Sequence, residues 1–150
     1  MINQETLKPT GLVTISHFNE QGELLNKFEV PNLVVTVGKN YIASRMKDAT
    51  ATAMTHMAIG TSSTAAAASD TILVTEGGRV TLSGTSVSTN TVTYTATFPA
   101  GTGTSTSPGV QEAGIFNAAS AGTLLCRTVF PSVAKAAGDS IAITWVVTVS

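Results

Sequence analysis

The sequence predicts an all-β protein, a β-sandwich or jelly-roll-like fold of about seven or eight antiparallel strands. In residues 91–98 a threonine occupies every second position and an apolar residue each position between. Residues 141–149 alternate in a similar way, with Trp145 among the apolar positions. A period of two is typical of strands with one wet face and one buried face. Short runs of this kind, separated by turn-forming residues, favour two antiparallel sheets packed together.

The composition indicates an ordered domain with a neutral surface. Charged residues make up 11% of the chain, against roughly 25% in ordinary soluble domains. Hydrophobic residues make up 43% and the net charge is −1, whereas disordered chains have low hydrophobicity and high net charge. Ser and Thr account for 39 of the 150 residues. A neutral, hydroxyl-rich surface repels its neighbours weakly, which suits a crowded assembly.

Charge and hydropathy also argue against nucleic acid and membrane partners. The five Lys and three Arg are scattered, whereas phosphate binding needs a basic face. The longest aliphatic run, residues 33–35, cannot span a bilayer. Residues 1–10 are polar and lack the apolar core of a signal peptide. We therefore expect a chain that is made in a cytoplasm and stays soluble until it is assembled.

The N-terminal region is predicted to be an appendage, residues 1–30, that precedes a sandwich domain of residues 31–150. Residues 1–10 are interpreted as a loose arm, followed by a β-hairpin whose turn contains a glycine. Pro31 and Asn32 then end the second strand.

One short helix is predicted near residues 38–47. Tyr41, Ile42 and Met46 fall at helical spacing, and the last turn is basic, as the helix dipole favours. Since a helix of this length needs tertiary packing, these three side chains are expected to pack against the sheets.

The remaining strands are predicted at 54–59, 80–88, 91–98, 110–116, 123–130 and 140–149. Glycine- and serine-rich loops separate them. Their inward positions should form the core, which we expect to contain Tyr94, Phe98, Phe116, Ile143, Trp145 and Val147.

The residue types that carry chemistry form no catalytic pattern. Cys126 lies in an apolar stretch and is expected to be a buried, inert thiol. His17 and His56 lack ligand spacing, so both are interpreted as structural, and no metal or cofactor is predicted. Hydrolysis of glycosides needs two carboxylates that face each other across a cleft with aromatic platforms. The sequence favours no such pair, and we expect the chain not to be an enzyme.

Glu112 is the carboxylate with the most distinctive position. Alternation places it on one strand face with Val110, Gly114 and Phe116. If Phe116 faces the core, Glu112 is partly buried and needs a partner. Its candidate partners are the arginines of strand-like segments, Arg127 and Arg79. The sequence therefore predicts a structural ion pair, with a solvated Glu112 at a strand end as the alternative.

Several phrases, taken in order, resemble small structural proteins of tailed bacteriophages. They are N-L-V-V-T-V-G-K at 32–39, M-A-I-G-T-S at 57–62, S-D-T at 69–71 leading to Glu76 and Arg79, E-A-G-I-F-N at 112–117, and L-C-R-T-V-F at 125–130 ahead of I-T-W at 143–145. Similar phrases recur in tail-fibre and baseplate-type domains and in stand-alone virion proteins. The resemblance covers about residues 30–149.

The resemblance implies a non-enzymatic virion component with a β-sandwich core, present in several copies. A homo-oligomer such as a trimer, bound to tail, neck or major capsid proteins, would be assembled in the bacterial host cytoplasm. A tail-fibre, baseplate or neck component is the leading interpretation, and capsid decoration (a cement protein) is the alternative. The chain lacks the long shaft or repeats of a complete receptor-binding fibre. From the residues alone, a carbohydrate-binding adhesin-type module is a second alternative, which would need exposed aromatic side chains.

Overall fold

A computed structural model describes residues 4–47 and 51–150 and confirms the all-β prediction. The described residues form ten strands in two antiparallel sheets and one helix, α1. The elements are β1 Pro9–Phe18, β2 Leu24–Pro31, β3 Leu33–Val34, α1 Thr36–Lys47, β4 His56–Gly60, β5 Glu76–Thr81, β6 Gly84–Ser88, β7 Thr91–Phe98, β8 Ser105–Phe116, β9 Leu124–Lys135 and β10 Ser140–Val149.

The first sheet has the order β2-β1-β10-β7-β6 and includes the N-terminal hairpin. β1 pairs with β10 along its whole length, from Pro9 opposite Val149 to Phe18 opposite Ser140. The hairpin is therefore part of the sandwich, and residues 1–30 are not the separate appendage that the sequence suggested. The alternating pattern of residues 12–18 and 24–30 predicts the hairpin. It does not predict that β1 pairs with β10, which lies more than a hundred residues later. Of the predicted arm, residues 9–10 belong to β1 and residues 1–3 lie outside the described residues.

The second sheet has the order β3-β9-β8-β4-β5 and packs face to face on the first. The main core lies between the sheets. Five of the six predicted core residues line it, namely Tyr94, Phe98, Ile143, Trp145 and Val147. Phe116 is also fully buried, but it belongs to a smaller apolar cluster with Val35, Ala58, Leu73 and Leu124.

A β-bulge explains why Phe116 and Val110 lie in different clusters. The pairing of β8 with β9 shifts between Val110 and Glu112, and Val110 lies in the main core. The pairing advances by two residues along β8 and by four along β9 at this point, and such an interruption of the ladder changes the face on which the following side chains lie. Glu112 and Phe116 therefore lie on the outer face of the second sheet, contrary to the simple alternation that grouped them with Val110.

Helix α1 begins at Thr36, two residues before the predicted start, and ends at Lys47 as predicted. Tyr41 and Ile42 pack against the main core. The prediction that Met46 packs is wrong, because its side chain is 81% exposed. The helix approaches β9 closely near its beginning, where a Cβ on Gly38 would overlap the carbonyl oxygen of Leu125. The last turn of the helix is more exposed to solvent.

The predicted strand 80–88 is two strands that belong to different sheets. β5 ends the second sheet and β6 ends the first, so the chain crosses the sandwich between them. Backbone bonds hold the crossing: the Leu82 N–H donates to the Thr55 carbonyl and the Ser83 N–H donates to the Thr95 carbonyl. This division, together with the short strand β3, raises the number of described strands to ten, above the predicted seven or eight.

Trp145 is the largest fully buried side chain in the described core. Trp145→Ala is expected to lower the free energy of unfolding by about 3–5 kcal/mol, because it removes apolar contacts and leaves a cavity. Trp145→Phe, which keeps an aromatic ring, should cost clearly less. Denaturant titrations of both variants measure this, and an unchanged midpoint for Trp145→Ala would contradict the burial of the last strand.

Candidate functional site

A buried ionic network joins β8 and β9 to the segment of residues 61–75. Arg127 and Glu112 are both fully buried. The Nε and Nη2 atoms of Arg127 donate to Oε2 of Glu112 at 3.0 and 2.8 Å, and Nη1 donates to Oδ2 of Asp70 at 3.0 Å. Of the two arginines predicted as partners of Glu112, Arg127 is thus the one that pairs with it.

Backbone groups complete the network. Glu112 also accepts hydrogen bonds from the N–H groups of Val74 at 3.1 Å and Thr75 at 2.7 Å. Nη2 of Arg127 donates to the carbonyl of Thr64 at 2.8 Å. A buried charge is costly unless it is paired and hydrogen-bonded. These bonds meet that requirement, and they draw on both ends of the same segment.

Residues 61–75, hereafter the cover segment, contain no helix or strand. The network fastens this segment over the outer face of the second sheet, where Leu73 packs into the cluster around Phe116. Gly60 is required at its start, because a Cβ there would lie 2.5 Å from Oε1 of Glu112. The ionic network therefore attaches the cover segment to the second sheet.

Arg79, the other predicted partner, has a different role. It binds Glu76, with Nη2 to Oε1 at 2.7 Å, and its Nη1 donates to the carbonyls of Ala118 and Ala121 at 2.9 Å. Its guanidinium carbon lies 3.8 Å from the centroid of the Phe116 ring, a cation–π geometry. Arg79 thus closes the rim of the smaller apolar cluster.

A second polar cluster lies where the chain turns from β9 to β10. Nε2 of His17 lies 2.8 Å from Oδ2 of Asp139, which also accepts the N–H of Ala136 at 2.9 Å. Nζ of Lys135 donates to the carbonyls of Asp139 at 2.8 Å and Pro99 at 3.0 Å. The bond with His17 and the bond from Ala136 lower the pKa of the Asp139 carboxyl. Burial lowers the pKa of Lys135, while the nearby Asp139 opposes that shift.

Cys126 and His56 are the remaining side chains with reactive groups, and they lie apart from the two polar clusters described above. Cys126 is fully buried, and burial raises the pKa of its thiol, which leaves it protonated and a poor nucleophile. His56 contacts the hydroxyl of Thr55 at 2.8 Å. Within residues 4–47 and 51–150, no three His, Cys, Asp or Glu side chains are grouped to hold a metal ion. In the same described part of the chain, no helix has the length and apolar character to cross a membrane.

An apolar cleft of about 310 Å³ opens between α1 and the end of the first sheet. Tyr41 and Ile42 line it from the helix, and Val87, Val92 and Tyr94 line it from the sheet. Burial raises the pKa of the Tyr94 hydroxyl, so this group stays neutral. The cleft is therefore suited to apolar contact rather than to acid–base chemistry.

The rim of this cleft is the exposed edge strand β6. All five of its residues are exposed, and the side chain of Val87 is 72% exposed. Comparisons of the chain with protein-family models, with curated proteins and with solved structures find no match. The surface formed by β6 and the cleft is the candidate functional site.

Sequence reasoning identified Glu112 and Arg127 but missed several of their partners. Asp70 lies in a loop and is far from both along the chain, so no spacing pattern connects them. Lys135 and Asp139 were missed because a lysine in a strand ordinarily points to water. The small residues after Lys135, Ala136-Ala137-Gly138, were the available sign of a tight turn that returns Asp139 to it.

We predict that Glu112→Gln lowers the free energy of unfolding by about 3 kcal/mol or more, because breaking a buried ion pair leaves the charge of Arg127 poorly compensated. Glu76→Gln is the matched control, since its pair with Arg79 is partly exposed and should contribute no more than about 1 kcal/mol. Denaturant unfolding of both variants provides the comparison. An equal decrease in the free energy of unfolding for both variants would show that the buried Glu112 pair contributes no more than the partly exposed Glu76 pair.

Acid should weaken the fold partly through Asp139. The carboxyl pKa is lower in the folded chain than its ordinary value of 3.8, so its ionised form favours folding. This contribution is complete above the ordinary pKa and disappears as the pH falls through the lowered folded pKa. We expect Asp139→Asn to melt at a lower temperature than the wild type at neutral pH, and the difference to shrink below about pH 4. A constant difference across that range would exclude the linkage; Glu29→Gln, on an exposed position of β2, is the control.

Proposed function

We propose that this chain is a non-enzymatic structural protein of a tailed-bacteriophage virion, an oligomeric component of a tail fibre, baseplate or neck. The observation that carries the proposal is the interaction surface: a neutral edge strand and an apolar cleft on a hydroxyl-rich sandwich. Such a surface favours contact with other protein subunits. Assembly would take place in the bacterial host cytoplasm.

The location of the resembling phrases supports a structural role. Asp70, Glu112 and Arg127, which form the ionic network, each lie within one of them. The phrase that contains Gly60 also adjoins the network. The resembling phrases therefore include the residues that hold the sandwich and its cover segment together. Residues of this kind maintain a scaffold.

The neutral surface is consistent with a place among closely packed subunits. Charged side chains are 11% of the chain, so long-range repulsion between copies is weak. Apolar surface buried between subunits contributes about 25 cal/mol per Å². The exposed side chains of Leu7, Met46 and Val87 are the described apolar groups that lie at the cleft or beside it.

A carbohydrate-binding module receives less support. Sugar sites use exposed aromatic platforms. Trp145 is fully buried, and the aromatic side chains that line the cleft are Tyr41, which is half-buried, and Tyr94, which is 8% exposed. The interaction surface is lined mainly by aliphatic and hydroxyl groups instead.

Quantitative mass spectrometry of purified virions tests the proposal, using particles of a phage that encodes the chain. We expect the chain to be present at a copy number far below that of the coat protein, as for tail and neck components. A copy number equal to that of the coat protein, or a simple lattice fraction of it, would instead indicate capsid decoration. Absence from the particles would overturn the virion proposal.

A further inference from the structure

The two open sheets end in four edge strands, and three of these have features that hinder pairing with another strand. β2 carries Lys27, Glu29 and Pro31, and β5 carries Glu76 and Arg79. β3 is two residues long. Charges, proline and short length are the usual means by which proteins prevent edge-to-edge association.

The fourth edge strand, β6, has none of these features. Its sequence is Gly-Thr-Ser-Val-Ser, and no charged residue or proline occurs anywhere in residues 82–98. β6 is therefore a neutral, fully exposed edge. An edge of this composition is open to a further strand.

The geometry of the hairpin shows which backbone groups of β6 face outward. Ser88 lies opposite Thr91 across a two-residue turn, and Thr89 in that turn has a φ of 49°. Residues that flank such a turn bond to each other, and bonded pairs then alternate along the ladder. Gly84, Ser86 and Ser88 consequently bond to β7. The N–H and C=O groups of Thr85 and Val87 point toward the open edge.

We propose that a second copy of this chain pairs with β6, antiparallel, about a twofold axis at Ser86. Thr85 of each copy then lies opposite Val87 of the other, and their outward backbone groups form four hydrogen bonds. The two five-stranded first sheets become one continuous sheet. Because β6 is uncharged, the two copies approach without like-charge repulsion.

The side chains favour a second copy as the occupant. Thr85 and Val87 both line the apolar cleft and lie on one face of β6. In the twofold register each β-branched Val87 packs beside a β-branched Thr85, which is a favourable cross-strand pair. The contact is the same patch on both copies, as a twofold interface requires. It builds dimers or even-numbered assemblies, whereas a closed trimer needs a different contact.

This inference deepens the proposed function by naming a partner, and it rests on that function for its place in an assembly. The chemistry of the edge can nonetheless be tested on the purified chain alone. A failure of β6 pairing and a failure of the virion proposal are therefore distinguishable, since virion copy number is measured separately.

Cysteine crosslinking tests the register directly in the full chain. In the proposed arrangement the two copies of Ser86 form a non-hydrogen-bonded pair with Cα atoms about 4.5 Å apart, within the reach of a disulfide. Ser86→Cys should crosslink under mild oxidation, and peptide mass spectrometry should identify the 86–86 link. Ser88→Cys is the matched control, because its two copies would lie about 13 Å apart along the strands. Equal crosslinking of both variants, or none by either, would overturn the register.

Light scattering after gel filtration provides a second measurement. The wild type should have the mass of a dimer or an even-numbered multiple. Val87→Pro removes an N–H that points outward, not toward β7, so it should give monomers whose far-UV circular dichroism and melting temperature match the wild type. Val87→Thr, which keeps the N–H and the branched side chain, should remain paired. A monomeric wild type, or a Val87→Pro variant of unchanged mass, would overturn the proposal.

Discussion

The charge of Arg127, placed where no water reaches it, is the constraint on which the outer half of the molecule depends. A buried guanidinium must be neutralised, and most of its donors must be satisfied. The chain meets this need with Glu112 from the neighbouring strand and Asp70 from the cover segment. One charge thereby specifies where an irregular stretch of chain must lie. Its contribution is to select one arrangement over others, since buried pairs add little net stability.

The two sheets consequently differ in their surroundings. The second sheet is buried on both faces, by the main core inside and by the cover segment outside. The first sheet has a core face and a hydroxyl-rich face, as the alternating threonines of β7 require. The irregular pairing of β8 with β9 lies where these environments meet, since Val110 points inward and Glu112 outward on either side of it. The first sheet thus leaves its outer face open, whereas the cover segment lies over that of the second sheet.

Much of the fold could be predicted because its signals are local. The alternation in residues 91–98 and 141–149 requires only neighbouring residues, and both strands formed as expected. The pairing of Glu112 with an arginine could be anticipated because the chain has few charges to choose from. The role of Asp70 and the pairing of β1 with β10 depend on contacts between residues far apart in sequence. The bulge in the β8–β9 ladder and the crossing at Leu82 depend on backbone geometry, which apolar patterning does not record.

The pairing of β1 with β10 has a consequence for how the protein is made. β1 leaves the ribosome early, but its partner at residues 140–149 emerges more than a hundred residues later. Val13 and Ile15 therefore stay without part of their core until residues 140–149 have been synthesised. The domain cannot complete its first sheet before that strand is available, and closing so long a loop slows folding. Chaperones that shield such early strands would therefore influence the yield of folded protein.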